Sequence, residues 1–163
     1  MDRFAQAFRA EHRQIRDALL ETISAFEDGD VDRARGLLGR VAALTGPHFR
    51  YEEEALYPAL VPLFGESYVE SLLGDHDRAI GAARELVALV TSPSLGDERR
   101  RGADLARGLL PHVSDCEGLS IMTEVLPGET VEEILGARDR SWAADLDLLR
   151  WADEVRTRPA VAA

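Results

Sequence analysis

PHFRYEEEALYP, residues 47–58, sets His48 and Glu52 four residues apart. In a helix that step returns a side chain to the same face, so an imidazole and a carboxylate point into one space. Together they form a two-ligand clamp for a metal ion. The surrounding residues supply the helix: Val41, Leu44, His48, Ala55 and Ala59 make an inward stripe that runs up to Pro62. Within the EEE run, Glu54 is the most outward member, while Glu53 sits beside the clamp as a residue that could support it. Tyr51 and Tyr57 read as packing residues with a polar tip, and Tyr51 has the further option of a hydrogen bond to the site.

The same reading extends in both directions. Strand-like alternation is nearly absent and helix formers dominate, so the chain is all-α. A first helix is predicted from about Asp2 to Glu27, with Phe4, Phe8, His12, Ile15, Leu19, Ile23 and Phe26 on one face. EDGD at 27–30 supplies a turn and an N-cap candidate for the second helix. A third helix opening near Ser67 carries Tyr68, Leu72, His76, Ala79, Ala83, Val87 and Val90, and ends in TSPSLG. A fourth, from Asp97, carries Leu105, Leu109, His112, Cys116 and Leu119. After LPG at 126–128, a fifth helix from about Glu129 to Arg156 shows Val131, Leu135, Trp142, Leu146, Leu149 and Trp151 and no histidine. It reads as a packing helix whose apolar face could also make a dimer contact. RTRPAVAA reads as a frayed tail.

His12 and His48 are 36 residues apart, as are His76 and His112, so an offset of 64 lays one helix pair on the other. All four histidines of the chain fall on inward stripes, one per helix. This predicts two pseudo-repeated helical hairpins, about 1–63 and 64–126, forming an up-down four-helix bundle over 1–126 with its site at the centre. Residues 127–157 add the packing helix and 158–163 the tail. Pro47 and Pro111 each precede a histidine inside a helical segment, which predicts a kink just ahead of each imidazole.

A chain of 163 residues suits one domain that folds without metal or disulfide staples, so a metal would serve function. One cysteine excludes an intramolecular disulfide, and the opening MDRFAQAFRAEHRQ has no apolar signal segment. The protein is expected in the cytosol. A formal net charge of −11 argues against nucleic acid and anionic membrane as partners, and no apolar run approaches the roughly 20 residues of a spanning helix.

Neutral imidazole binds iron, manganese, zinc or copper, and a carboxylate can bridge two such cations roughly 3.5–4 Å apart. Four imidazoles with bridging carboxylate therefore suit a dinuclear iron centre, with zinc or manganese as alternatives. Magnesium and calcium would call for more oxygen ligands.

On EHRQI in the first helix, HFRYEEEALYPAL in the second, DHDRAI in the third and PHVSDCEGL in the fourth, the chain resembles the hemerythrin-like, HHE cation-binding family over roughly residues 5–126. The resemblance implies a four-helix bundle holding a non-haem di-iron centre, and chemistry with dioxygen, peroxide or nitric oxide. It carries over His12, His48, Glu52, His76 and His112 as ligands. Hemerythrin has a second histidine one turn beyond the third-helix ligand, where this chain has Ile80. That difference favours reactive chemistry with oxygen or peroxide over reversible storage.

The fourth helix departs from the family's HxxxE, because the 64-residue offset places Cys116 in the slot of Glu52 and Glu117 in that of Glu53. Three readings are open: Cys116 ligates as thiolate, Glu117 replaces it as ligand five residues after His112, or Cys116 is a redox-active or merely apolar neighbour. The leading functional reading is a di-iron protein that activates, scavenges or senses oxygen species. Its alternatives are an oxygenase, oxidase or peroxide-consuming enzyme, with a small organic substrate and mononuclear iron or zinc among its options, and a metal-dependent regulatory or binding module. A monomer and a homodimer are both open.

Overall fold

The computed structural model describes residues 3–92 and 95–157, apart from the side chains of residues 95–97 and 117. The helix α1 spans Arg3–Asp28 and buries Phe4, Phe8, His12, Ile15, Leu19, Ile23 and Phe26, the face predicted from the sequence. Gly29 turns the chain at φ 73°, and the Asp30 side chain accepts from the Arg33 N–H at 3.0 Å to cap α2, Val31–Tyr51. A π-helical turn, Glu52–Leu56, then leads into α3, Tyr57–Phe64. α4 covers Glu66–Thr91, and the fourth strut is divided into α5 Leu95–Arg107, α6 Leu110–Glu117, α7 Leu119–Met122 and a 3-10 turn, Thr123–Val125. These struts make an all-α helical bundle, with no strand among the described residues. No helix among the described residues is long and apolar enough to cross a membrane.

Four expectations change. The fifth helix is two: α8 Gly128–Ala143 and α9 Leu148–Glu154. Asp145 adopts the left-handed conformation at φ 49°, and Asp147 caps α9 by accepting from the Arg150 N–H at 2.9 Å. A short polar side chain tolerates αL, and an N-cap starts a new helix, so the apolar period alone could not carry one helix through. Second, the predicted proline kinks are not alike. The fourth strut breaks at Gly108–Leu109, and Pro111 then lies in the first turn of α6, where its missing N–H costs nothing. By contrast, α2 runs through Pro47.

Third, Tyr68 and Val87 are exposed at 39% and 42%, and Val69, Leu86 and Leu89 are buried in their region instead. The buried residues keep a seven-residue spacing, Val69 to His76 and Leu72 to Ala79 to Leu86, whereas the predicted stripe takes slightly longer steps, so its ends rotate away from the core. Fourth, the segment carrying the His48–Glu52 clamp is not plain α-helix. Pro58 has no N–H to donate, and the Tyr57 N–H bonds back five residues to the Glu52 carbonyl. The extra residue in this turn rotates the side chains beyond it.

Parts of the tail and of TSPSLG lie outside the described residues.

Candidate metal centre

α1, α2, α4 and α6 each send one histidine into the interior, where His12, His48, His76 and His112 are all buried. His12 Nε2 and His48 Nε2 are 3.2 Å apart, and the His76 and His112 rings stand 4.8 Å apart between centroids. Glu52 lies between the two pairs, its Oε1 3.4 Å from His48 Nε2 and its Oε2 3.1 Å from His76 Nε2. Two sets of potential ligand atoms result, His12–His48–Glu52 and Glu52–His76–His112, each with its atoms within 4.8 Å of one another.

Glu52 is fully buried, yet neither of its oxygens has a properly directed hydrogen-bond partner, because the nearby imidazole nitrogens are close but not aimed along a bond. The flanking imidazoles balance its charge without a directed hydrogen bond, so the buried carboxylate keeps unused acceptor capacity on both oxygens. Cations seated between Glu52 and each histidine pair would satisfy it. The imidazole and carboxylate donors suit borderline divalent metals.

Protonation in the metal-free protein follows from charge and burial. Burial pushes His12 down to about 3, helped by the His48 charge, and pushes His112 down to about 4, helped by His76. Both are neutral and offer a lone pair. Burial also disfavours charge on His48, but the Glu52 and Glu11 carboxylates overcome it and hold His48 at about 10. His76 is likewise raised, against its burial, by Glu52 and Glu53. Glu52 itself is held well below the usual carboxylate range, because the His48 charge outweighs its burial. A consistent arrangement has His48 donating from Nε2 to His12 Nε2, while His12 donates from Nδ1 to the Phe8 carbonyl at 3.1 Å.

Metal must therefore displace protons. At pH 7 His48 lies well below its raised value and is charged, so loading is expected to release at least one proton per chain from His48, with a further contribution from His76, whose value the Glu52 and Glu53 carboxylates also raise. Affinity then rises with pH until His48 deprotonates near 10. Metal titration in weakly buffered solution with an indicator dye measures the release, and a value of zero would contradict the assigned charges.

Behind the ligand atoms stands a layer of polar side chains. Glu11 accepts from His48 Nδ1 at 2.7 Å, from the Tyr51 hydroxyl at 2.8 Å and from Arg138 Nε at 2.6 Å. Glu53 accepts from His76 Nδ1 at 2.9 Å and from Arg156 on both oxygens. Tyr51 and Glu53, read from the sequence as residues that could support the clamp, thus stand behind it, Tyr51 on Glu11 and Glu53 on His76. Tyr57, read as packing with a polar tip, is buried in the core and turns its hydroxyl to His76 Nε2 at 3.0 Å. Glu11, Arg138 and Arg156 were missed. One signal for Glu11 was available: an acid precedes both His12 and His76, and at the 64-residue offset Asp75 matches Glu11. Glu11 serves His48, and Asp75 stands 3.9 Å from His112 Nδ1, beyond hydrogen-bond reach.

Cys116 is fully buried beside His112, its Sγ 3.6 Å from Nδ1 and 3.7 Å from Nε2, so it lies along the ring rather than in line with either nitrogen. The Tyr57 hydroxyl is 3.8 Å away. Burial and the Glu52 charge push the thiol well above its ordinary range. Cys116 belongs to neither ligand set. The Glu117 side chain lies outside the described residues.

The sequence model of the hemerythrin HHE cation-binding domain matches residues 3–119, which span all four histidines and Glu52. The chain belongs to the hemerythrin HHE cation-binding family. Comparison with curated proteins and with solved structures finds no match.

Membership makes this a cation-binding protein, and its two His/Glu sets fit a metal site. In hemerythrin terms the departures are local. Ile80, where hemerythrin carries a histidine, is buried with Phe49, Ala79, Leu148 and Trp151. α8 and α9, which carry Arg138 and lead to Arg156, lie beyond the matched region.

Proposed function

We propose that the protein holds two iron ions and reacts with dioxygen, peroxide or nitric oxide. The ligands in this reading are His12, His48, Glu52, His76 and His112, with Glu52 as the bridge. Either Glu117 or Cys116 completes the set, and the oblique approach of the thiol favours Glu117. Iron, when bound, supplies redox chemistry and open coordination positions to a small ligand.

The observation that carries this reading is a cavity of about 50 Å³ against His12, His48 and His112, walled by apolar side chains including Ile15, Val41, Phe49 and Val113. That volume accommodates a molecule of two or so heavy atoms, whereas pockets for organic ligands run to about 300–1,000 Å³. The one other polar side chain on its wall, Thr45, donates its hydroxyl to the Val41 carbonyl at 2.8 Å. The walls are therefore almost wholly apolar, with the imidazoles of His12, His48 and His112 at one edge.

A second reading, an oxygenase or oxidase acting on a small organic molecule, is favoured by one feature. A groove of about 530 Å³ between α4 and the α5–α6 strut reaches His112, with Asp75, Arg78, Asp104 and Asp115 along it. The two readings separate in one experiment. Protein loaded anaerobically with ferrous iron is exposed in turn to dioxygen, nitric oxide and peroxide, and its visible spectrum and metal content are recorded for wild type and Cys116→Ser. The di-iron reading expects about two irons per chain and a spectral response that survives the serine change. One metal per chain, or a sulfur-to-iron band lost with the serine, would overturn it, and oxygen uptake dependent on an added organic substrate would install the enzyme reading instead.

A further inference from the structure

Both carboxylates that orient the inner histidines end on an arginine from outside the matched family region. Arg138 from α8 donates through Nε to Glu11 at 2.6 Å, and Glu11 accepts from His48 Nδ1. Arg156, just past α9, grips Glu53 through Nε at 3.0 Å and Nη2 at 2.8 Å, and Glu53 accepts from His76 Nδ1. The two chains of contact are Arg138–Glu11–His48 and Arg156–Glu53–His76. His48 belongs to one ligand set and His76 to the other.

The geometry points to the C-terminal helices as a working part of the metal centre: Arg138 and Arg156 are positioning residues, each fixing the carboxylate that aims one imidazole at one of the two metal positions. This rests on the metal-centre reading above and goes beyond it, because it assigns function to a segment with no ligand in it.

The placement of these arginines supports the assignment. The Arg156 side chain is only 3% exposed, although it lies beyond the last helix. A third contact, from Nη1 to Asp77 at 2.7 Å, and the Trp151 ring 5.6 Å from its guanidinium carbon hold it in place. Asp77 is on α4, one residue from His76, so Arg156 ties the segment after α9 to α4 directly through Asp77 and to His76 through Glu53. Glu11 shows the same logic with fewer bonds. It is buried, its Oε2 holds His48 and Tyr51, and Arg138 is the donor on its Oε1. Arg138 is more open, 25% exposed and also paired with Asp139 at 3.1 Å, so its assignment rests on its partner: Glu11 is buried and its other oxygen accepts from His48.

The test uses the full-length protein loaded with cobalt(II), whose visible bands report ligand geometry, and follows metal release to an excess of chelator. Wild type is measured first, and binding of two cobalt ions upholds the centre independently of the arginines. Arg138→Gln is then expected to speed release from one position by about 3–10-fold and leave the other near wild type, less than the roughly 10–100-fold usual when the group bonded to the ligand itself is lost. Arg156→Gln is expected to do the same at the opposite position. The lysine variants separate positioning from bulk. Arg138→Lys can still supply one charged donor and should recover most of the wild-type rate, whereas Arg156→Lys cannot reproduce the fork on Glu53 together with the bond to Asp77 and should recover little. Thermal melts of the metal-free proteins are recorded alongside. Unchanged release rates in both glutamine variants would overturn the assignment, and so would equal acceleration at both positions that tracks the fall in metal-free melting temperature.

Discussion

Replacing Glu52 with glutamine is expected to empty both halves of the metal centre together. Glutamine keeps the shape of the side chain but removes its charge and turns one oxygen into a donor, which cannot ligate a cation. Because Glu52 is common to both ligand sets, no position is left with its carboxylate. The loss should exceed ~100-fold in affinity, above the range for residues that only orient a ligand. His12→Ala serves as the comparison, since His12 belongs to one set and its removal should spare the other. Elemental analysis after passage over a chelating column reads both results. Retention of two metals by Glu52→Gln, or loss of just one, would remove Glu52 from the role of bridge.

The second large effect is on folding. A methyl group added at Gly46 would meet the Leu146 carbonyl oxygen at 2.2 Å, the Asp147 carbonyl carbon at 2.5 Å and the Leu148 nitrogen at 2.7 Å. These are backbone atoms of the link between α8 and α9, and they cannot rotate aside as a side chain would. Gly46→Ala should therefore push that link off α2 at a cost of about 2–3 kcal/mol, the upper part of the range for overpacking. For a chain of this size that lowers the melting temperature by about 4–12 °C. Differential scanning calorimetry of the metal-free protein checks it. A melting temperature within a degree of wild type would mean that α8 and α9 do not pack on α2 this closely in solution.

How much of the fold and the site was legible in the sequence depends on the range of the interaction. The helical struts and the inward faces of His12, His48, His76 and His112 follow from a 3.6-residue period that any short window displays, and Glu52 follows from its four-residue step after His48. Features that depend on distant partners did not show. Gly46 stands directly beside the Pro47–His48 pair, yet its reason for being glycine lies far along the chain, at Leu146–Leu148. Arg138 and Arg156 look like ordinary surface charges in a helical segment without histidine, because Glu11 and Glu53, which they meet, are 127 and 103 residues away. The inward stripe past Glu52 shifted for another reason. It was read through Ala55 and Ala59, but the backbone ladder slips by one residue at the π-helical turn Glu52–Leu56, and the fully buried apolar residues there are Leu56 and Leu60.

The central claim is that Glu52 joins two metal positions in one buried centre. Diffraction from crystals of the iron-loaded protein, recorded on both sides of the iron absorption edge, tests it most directly. The account predicts two anomalous peaks roughly 3.5–4 Å apart, one beside His12 and His48, the other beside His76 and His112, with a Glu52 oxygen on each. A single peak, or a pair of peaks that leaves Glu52 without contact to one of them, would contradict it.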